Sequence, residues 1–325
     1  MWLEIICGLI IYKFYRCFVS SDDDDVLDVE TSDSKALFSV GDRLAKLYGG
    51  KVYVGLRIPD ADTASPQTID LVLVSKGEAV VVSVKNLSGL VSVNADGSWV
   101  CESHSSNHKA HHLPDPIADH QKQASILESY LEQRGCALPQ GYLSSKVILS
   151  HPKVCTTQSS NFPSEVVTYD QLMQLKPEPQ NMFSGWIKGA FRGGKKEMQE
   201  SICQKLDFIL STAPMWDRLE LEGSKYILGE FLEFKGKKED VQALKSIKRS
   251  KIGRLVVQKT SILGFAPSRL QVLYSPRDYR SEGASASKWM EVNVRSSTEV
   301  LFQPENSSKV RKFKLSSVVS MSLSA

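Results

Sequence analysis

The chain has 325 residues, 42% hydrophobic and 24% charged, with 40 basic against 37 acidic side chains and a formal net charge of +3. Single cores stop growing at about 250 to 300 residues, so this length favours two folded units. The composition excludes wholesale disorder and a multi-span membrane protein, and so balanced a charge does not by itself call for nucleic acid.

Residues 2–19 are rich in Ile, Leu, Phe and Tyr, with Glu4 near one end and Lys13 and Arg16 near the other. A span needs about 20 apolar residues, a length approached here if the two basic side chains snorkel to the interface. Glu4 and the bulky Phe18 and Val19 argue against a cleaved signal peptide, which leaves an uncleaved anchor. Basic residues on the body side would hold the rest of the chain in the cytosol. The six widely and irregularly spaced cysteines agree, fitting a reducing compartment better than a disulfide scaffold or a zinc ribbon. Asp22–Asp25, Asp28 and Glu30 form a solvated spacer.

Ala36, Leu37, Val40, Leu44 and Leu47 recur at helical spacing before Gly49-Gly50, which should end the helix. Residues 51–59 alternate as a strand. Two β-branched runs, 68–75 and 79–85, flank Lys76-Gly77 and predict an antiparallel hairpin. Residues 89–100 hold a second strand pair turned at Asn94–Gly97, with Trp99 capping the sheet edge, and residues 101–113 read as an irregular loop. Asp115-Pro116 starts a helix that ends near Gly135, strands follow near 146–150 and 166–167, and Tyr169 opens another helix. Met198, Ile202, Leu206 and Ile209 mark a helix linking the two halves. From about Trp216 onward, short apolar runs predict a mostly β unit. The order predicts an α/β fold, a mixed sheet flanked by helices, followed by a mainly β C-terminal domain. The expected divisions are an anchor at 1–19, an acidic spacer at 20–33, a first domain at 34–176, a linker with a helix at 177–214 and the β domain at 215–325.

With the turn at Lys76-Gly77, Asp70 lies opposite Ser83 and Thr68 opposite Lys85, and alternation puts Asp70, Ser83 and Lys85 on one face. Directly opposed side chains start about 5 Å apart at Cβ, a spacing from which two oxygens can share one Mg²⁺. These segments resemble the nuclease-related domain (NERD) family, itself similar to the PD-(D/E)XK restriction-endonuclease-like fold. Gly41-Asp42 resembles its first-helix Gly-acidic pair, Ile69-Asp70 its Ile-Asp strand, and Val84-Lys85-Asn86 with Gly89 its Val-Lys-Asn strand and following glycine. Asp96–Trp99 resembles its Gly-x-Trp hairpin, and Asp115-Pro116 with Gln121 resembles its Asn-Pro and Gln helix start, with Asp in place of Asn. The resemblance covers residues 34–135.

The resemblance implies a nucleic-acid phosphodiesterase using Mg²⁺, or Mn²⁺ in its place. Asp70 and Asp42 would be the metal ligands, Lys85 would stabilise phosphate charge, and Gln121 would be a neutral contributor. Ser83 departs from the pattern, which places Glu there as the second acidic ligand. Two classes therefore stay open, a metal-dependent nuclease and a degenerate domain that binds nucleic acid, lipid or protein without cutting. His104, His108, His111 and His112 with Cys101 fit no closed zinc site and read as a polar loop near a phosphate groove. Basic residues between Lys235 and Arg254 and between Lys309 and Lys314 suit phosphates of nucleic acid or anionic membrane lipid headgroups equally well, and solvated faces also account for them.

Overall fold

A computed structural model describes residues 31–63, 65–75, 77–102, 110–156, 162–175, 196–259, 269–277 and 289–324. The expected anchor at 1–19, nearly all of the acidic spacer, and His104 and His108 lie outside these residues. Among the described residues no helix is long and apolar enough to cross a membrane.

Helix α1 spans residues 31–48, starting earlier than the apolar stripe indicates. It stops where Gly49 turns left-handed (φ 62°), and the Gly49 N–H closes on Ala45 O at 2.9 Å. Strands β1 (Lys51–Pro59), β2 (Pro66–Ser75) and β3 (Glu78–Lys85) form an antiparallel meander. Next come β4 (Gly89–Val93), β5 (Trp99–Glu102), β6 (Ala110–Leu113), helix α2 (Pro116–Gln133) and β7 (Leu143–Leu149). After them lie β8 (Val154–Thr156), β9 (Val166–Val167), α3 (Tyr169–Gln174) and α4 (Lys196–Ser211). The central sheet runs β1-β2-β3-β7-β9, antiparallel as far as β3 and parallel beyond it, the mixed sheet expected. One face packs Tyr53, Val72 and Val81 against Leu127 and Leu131 of α2 and Leu206 and Leu210 of α4. The other packs Leu71, Leu73, Val80 and Val82 against Leu37, Val40 and Leu44 of α1.

A second sheet, β6-β5-β4-β8, corrects two expectations. Residues 110–113 are a strand and not a loop: His111 pairs with Cys101 and His112 with Val100. Trp99 does not cap an edge; it is fully buried, edge-on to Phe162 at 5.6 Å between ring centroids. The exposed run at 110–112 hid the strand, because an edge strand that pairs on one side with β5 needs no apolar alternation of its own.

The C-terminal half adds β10 (Asp217–Leu221), β11 (Lys225–Lys235), α5 (Lys238–Leu244), β12 (Ile252–Lys259), β13 (Arg269–Pro276), β14 (Met290–Arg295), β15 (Glu299–Pro304), β16 (Arg311–Lys314) and β17 (Val318–Ser322). These strands make one antiparallel sheet, ordered β14-β13-β12-β17-β10-β11-β15-β16, around an apolar core that includes Leu219, Phe231, Leu255, Phe302 and Met321. Helix α5 covers part of it and lies inside the first basic run.

The two halves meet at β1. Leu56 bridges to Met215, Arg57 N–H donates to Pro214 O at 2.8 Å, and Trp216 N–H donates to Gly55 O at 2.8 Å. Gly55 is left-handed (φ 66°), a conformation that favours glycine. Inward-facing residues change parity there: Tyr53 faces the α2 side before it, and Leu56 and Ile58 face that side after it. On β2 the matching change falls between Ile69 and Leu71, at Asp70.

Candidate functional site

The β2–β3 register agrees with the residue pattern: Leu71 pairs with Val82 and Ser75 with Glu78, which places the turn at positions 76 and 77. The ladder stops at Leu71, where the parity change frees Asp70 from an ordinary strand position. Its Oδ2 instead accepts from Ser83 Oγ at 3.1 Å and from Val84 N–H at 2.8 Å. Asp70 and Ser83 therefore meet as expected, but as acceptor and donor. Thr68 does not face Lys85; it pairs with Arg57 on β1, while Lys85 pairs with Leu149 on β7.

Around Asp70 opens a cleft of about 780 Å³ at the end of the hairpin. Lys85, Asn86 and Asp33 line one part of it, His111 and Gln123 another, and Leu228 and Glu305 of the C-terminal half close it. Asn86 Nδ2 donates to Ser32 Oγ (3.1 Å) and Asp33 Oδ1 (3.0 Å), tying the start of α1 to the end of β3. This gives the asparagine of the Val-Lys-Asn motif a structural task. Gly97 and Asp115, from two other motif segments, also meet: a Cβ on Gly97 would lie 2.7 Å from Asp115 Oδ2, while Asp115 Oδ1 caps α2 at Ile117 N–H (2.9 Å).

Two expected residues stand elsewhere. Asp42 is exposed on α1, about 13 Å along the helix from Asp33 at its rise of ~1.5 Å per residue. Gln121 is exposed on α2, and Gln123 lines the cleft in its stead. The buried His120 explains this placement. Its Nε2 sits 3.0 Å from both Val81 O and Lys146 N, and its Nδ1 lies 3.4 Å from Gln123 Oε1. Burial lowers the His120 pKa; its Nε2 accepts from Lys146 N–H, and its Nδ1 braces Gln123.

Two carboxyl groups lining the cleft, the exposed Asp33 and the half-buried Glu305, are raised by desolvation. Desolvation raises Asp33, with Asp70 adding to the rise and the Asn86 hydrogen bond opposing it. Glu305 is pushed up to about 7 by burial and by Asp70, against hydrogen bonds with Thr68 and Trp216 and the charge of Arg57. Neither residue stands out in the sequence. Asp33 belongs to an acidic run, and Glu305 lies beyond the motif-bearing half; only the three-dimensional contact brings it in.

Hard divalent cations need several anionic or carbonyl oxygens. Here Asp70 already accepts two hydrogen bonds through one oxygen, the Ser83 hydroxyl is neutral, and Asp42 does not line the cleft. Among the described residues no group of three or more His, Cys, Asp or Glu is arranged to hold a metal ion. The residues of the expected position therefore do not fit Mg²⁺.

Residues 32–150, less than half of the chain, match the family model of the nuclease-related domain. No curated protein and no solved structure matches the chain.

Proposed function

We propose that the protein binds nucleic acid at the Asp70 cleft, with hydrolysis weak or absent, and that residues 1–19 hold it at a membrane with its bulk in the cytosol. The observation carrying the first part is the state of Asp70. In the family pattern a glutamate at position 83 would stand beside it as a second anionic ligand, whereas here a buried serine, 3% exposed, donates to it. A neutral partner supplies no charge to offset the dehydration of a divalent cation. Lys85, Asn86, His111 and Gln123 remain in the cleft as groups able to meet phosphate and base edges, which supports binding over cutting.

The deciding measurement is cleavage and binding of labelled DNA and RNA oligonucleotides by purified protein, with and without Mg²⁺ or Mn²⁺, comparing wild type with Asp70→Ala and Lys85→Ala. Binding that weakens in Lys85→Ala without product formation supports the reading; Asp70-dependent, metal-dependent product overturns it in favour of an active nuclease. Absence of any nucleic-acid affinity would leave a lipid or protein scaffold. The membrane part is tested by fractionation: deleting residues 1–19 should release the protein from membranes, and a full-length chain that is already soluble would sink the anchor.

A further inference from the structure

In the basic run after β11 the acids are engaged inside the fold and the lysines are not. Glu239 and Asp240 pair with Arg295 at 2.9 and 3.1 Å, and Glu230 pairs with Arg249 at 2.8 Å. The buried Asp217 holds the other side of the Arg249 guanidinium. Lys238, Lys245 and Lys248 are exposed, and among the described residues none of the three makes an ion pair. Their ammonium groups face water.

Between β11 and α5 lies an open groove of about 540 Å³. Its floor is apolar, built from Phe231, Phe234, Leu244 and Ile247, none more than 8% exposed. Lys245 and Lys248 stand at its rim with Glu233. The strand turns Leu232 outward here. Phe231 pairs with Phe302 and Glu233 with Leu301, so Leu232 has no partner on β15 and forms a β-bulge. Two successive side chains therefore leave the buried face where alternation allows one, and Leu232 is 42% exposed between buried Phe231 and Phe234. Lys238, Val241 and Lys245 recur at helical spacing, which places Lys238 on the same side of α5 as the groove-lining pair.

An aliphatic side chain projecting among lysines suits a partner that is anionic at its surface and apolar beneath. Nucleic acid is the poorer match for this patch. Single strands stack on exposed aromatic rings, and bidentate phosphate recognition uses arginine. Here Phe231 and Phe234 are buried, and Arg249 is paired. Each lysine held at an anionic leaflet strengthens binding about fivefold. Glu233 opposes that attraction and is outnumbered.

We propose that the groove between β11 and α5 docks on an anionic bilayer surface, with Leu232 entering the interface and Lys238, Lys245 and Lys248 meeting lipid headgroups. This contact belongs to the C-terminal half and does not require residues 1–19. An anchor there would raise the local concentration of membrane around the groove, making two weak contacts act together.

The test moves the full chain from detergent into phosphatidylcholine vesicles made with or without phosphatidylserine, floats them, and follows backbone hydrogen exchange. Exchange across 231–234 and 244–249 should be about tenfold slower on the vesicles containing phosphatidylserine, equivalent to ~1.4 kcal/mol, and high salt should remove the difference. Lys245→Gln combined with Lys248→Gln should weaken docking about thirtyfold, and Leu232→Ser removes the inserted side chain. All three positions are exposed, so the variants should fold, and each should exchange as on phosphatidylcholine alone. Slowing confined to phosphatidylserine vesicles supports docking; if the chain also floats only with those vesicles, the anchor reading fails while docking stands. Equal exchange on both compositions overturns docking, whether or not the chain floats. Slowing that survives both variants overturns the assignment to this groove, and slowing produced by a labelled oligonucleotide but not by vesicles gives the lysines to nucleic acid.

Discussion

Ser83 is where one side chain decides the chemistry. Buried and donating to Asp70, it makes position 83 a neutral partner, and Ser83→Glu would place two carboxylates together in a nearly water-free spot. Without metal the variant should lose about 3 kcal/mol of stability, the scale of an uncompensated buried charge. Excess Mn²⁺ should restore about 2.7 kcal/mol at a hundred times its Kd. Thermal unfolding with Mn²⁺ and with EDTA checks both halves, and a variant indifferent to Mn²⁺ would show that the geometry cannot recover a metal site.

Glu78 poses the opposite problem, since its carboxyl is buried, lacks a partner for Oε1 and is pushed up to about 7 by burial. In the unfolded chain it titrates near 4.5. Between those values the folded state holds the extra proton, so stability is highest below the unfolded pKa and falls as pH rises through about 7, by roughly 3 kcal/mol in total. Glu305 shifts the same way, so the contribution of Glu78 is read as the difference between wild type and Glu78→Gln. The variant should be the more stable protein above pH 7 and lose the advantage near pH 4.

At the scale of elements, the basic stretch after β11 divides into structural and free charges. Arg249 is not a phosphate-facing residue of a bare patch. It pairs with Glu230 at 2.8 Å and with the fully buried Asp217, whose carboxylate also accepts from Phe231 N–H and Ser324 N–H, each at 2.7 Å. Asp217→Ala should cost about 3–5 kcal/mol, measured by denaturant unfolding, because it strands a half-buried guanidinium and two backbone donors. Lys248 and Lys251 are exposed, so charge reversal at those two positions alone is the clean probe of nucleic-acid contact. A steep salt dependence lost in that double variant would assign them to phosphates, whereas unchanged binding would mark them as a solvated face.

The same division governs what could be read in advance. The hairpin of β2 and β3, its register, α2 with its Asp115-Pro116 start and the mainly β character of the C-terminal half were legible, because each rests on local alternation or capping. Strand β6, the burial of Trp99 and the exposure of Asp42 and Gln121 were not. The first is an exposed edge strand with no apolar alternation, the second depends on Phe162 far away in sequence, and the last two on the rotation of helices whose polar positions look alike. Glu305 is the extreme case, a glutamate in a turn that acquires meaning only from contact with Thr68 and Trp216.

At the scale of the whole molecule, the two halves are joined by backbone and side chain together. Gly55 exposes its carbonyl to Trp216 N–H, Arg57 donates to Pro214 O, Leu228 enters the core beneath α1, and Arg218 lies against both rings of the Phe38–Tyr226 pair, 4.1 and 4.4 Å from their centroids. An interface that shares a core cluster with one half should unfold with it. The wild-type chain should therefore show one denaturant transition, with tryptophan fluorescence and far-ultraviolet circular dichroism coincident. Trp216→Ala removes the indole that bonds Thr68 and lies over Arg57, and it leaves the backbone bridges in place. Its expected cost of about 3 kcal/mol falls on the junction and not on either core. The two probes should separate in this variant, one half melting before the other. Coincident curves at a lower midpoint would instead mean that the backbone bridges alone keep the halves cooperative, and Trp216 would then be a contributor to stability with no special part in coupling the β sheet to the cleft.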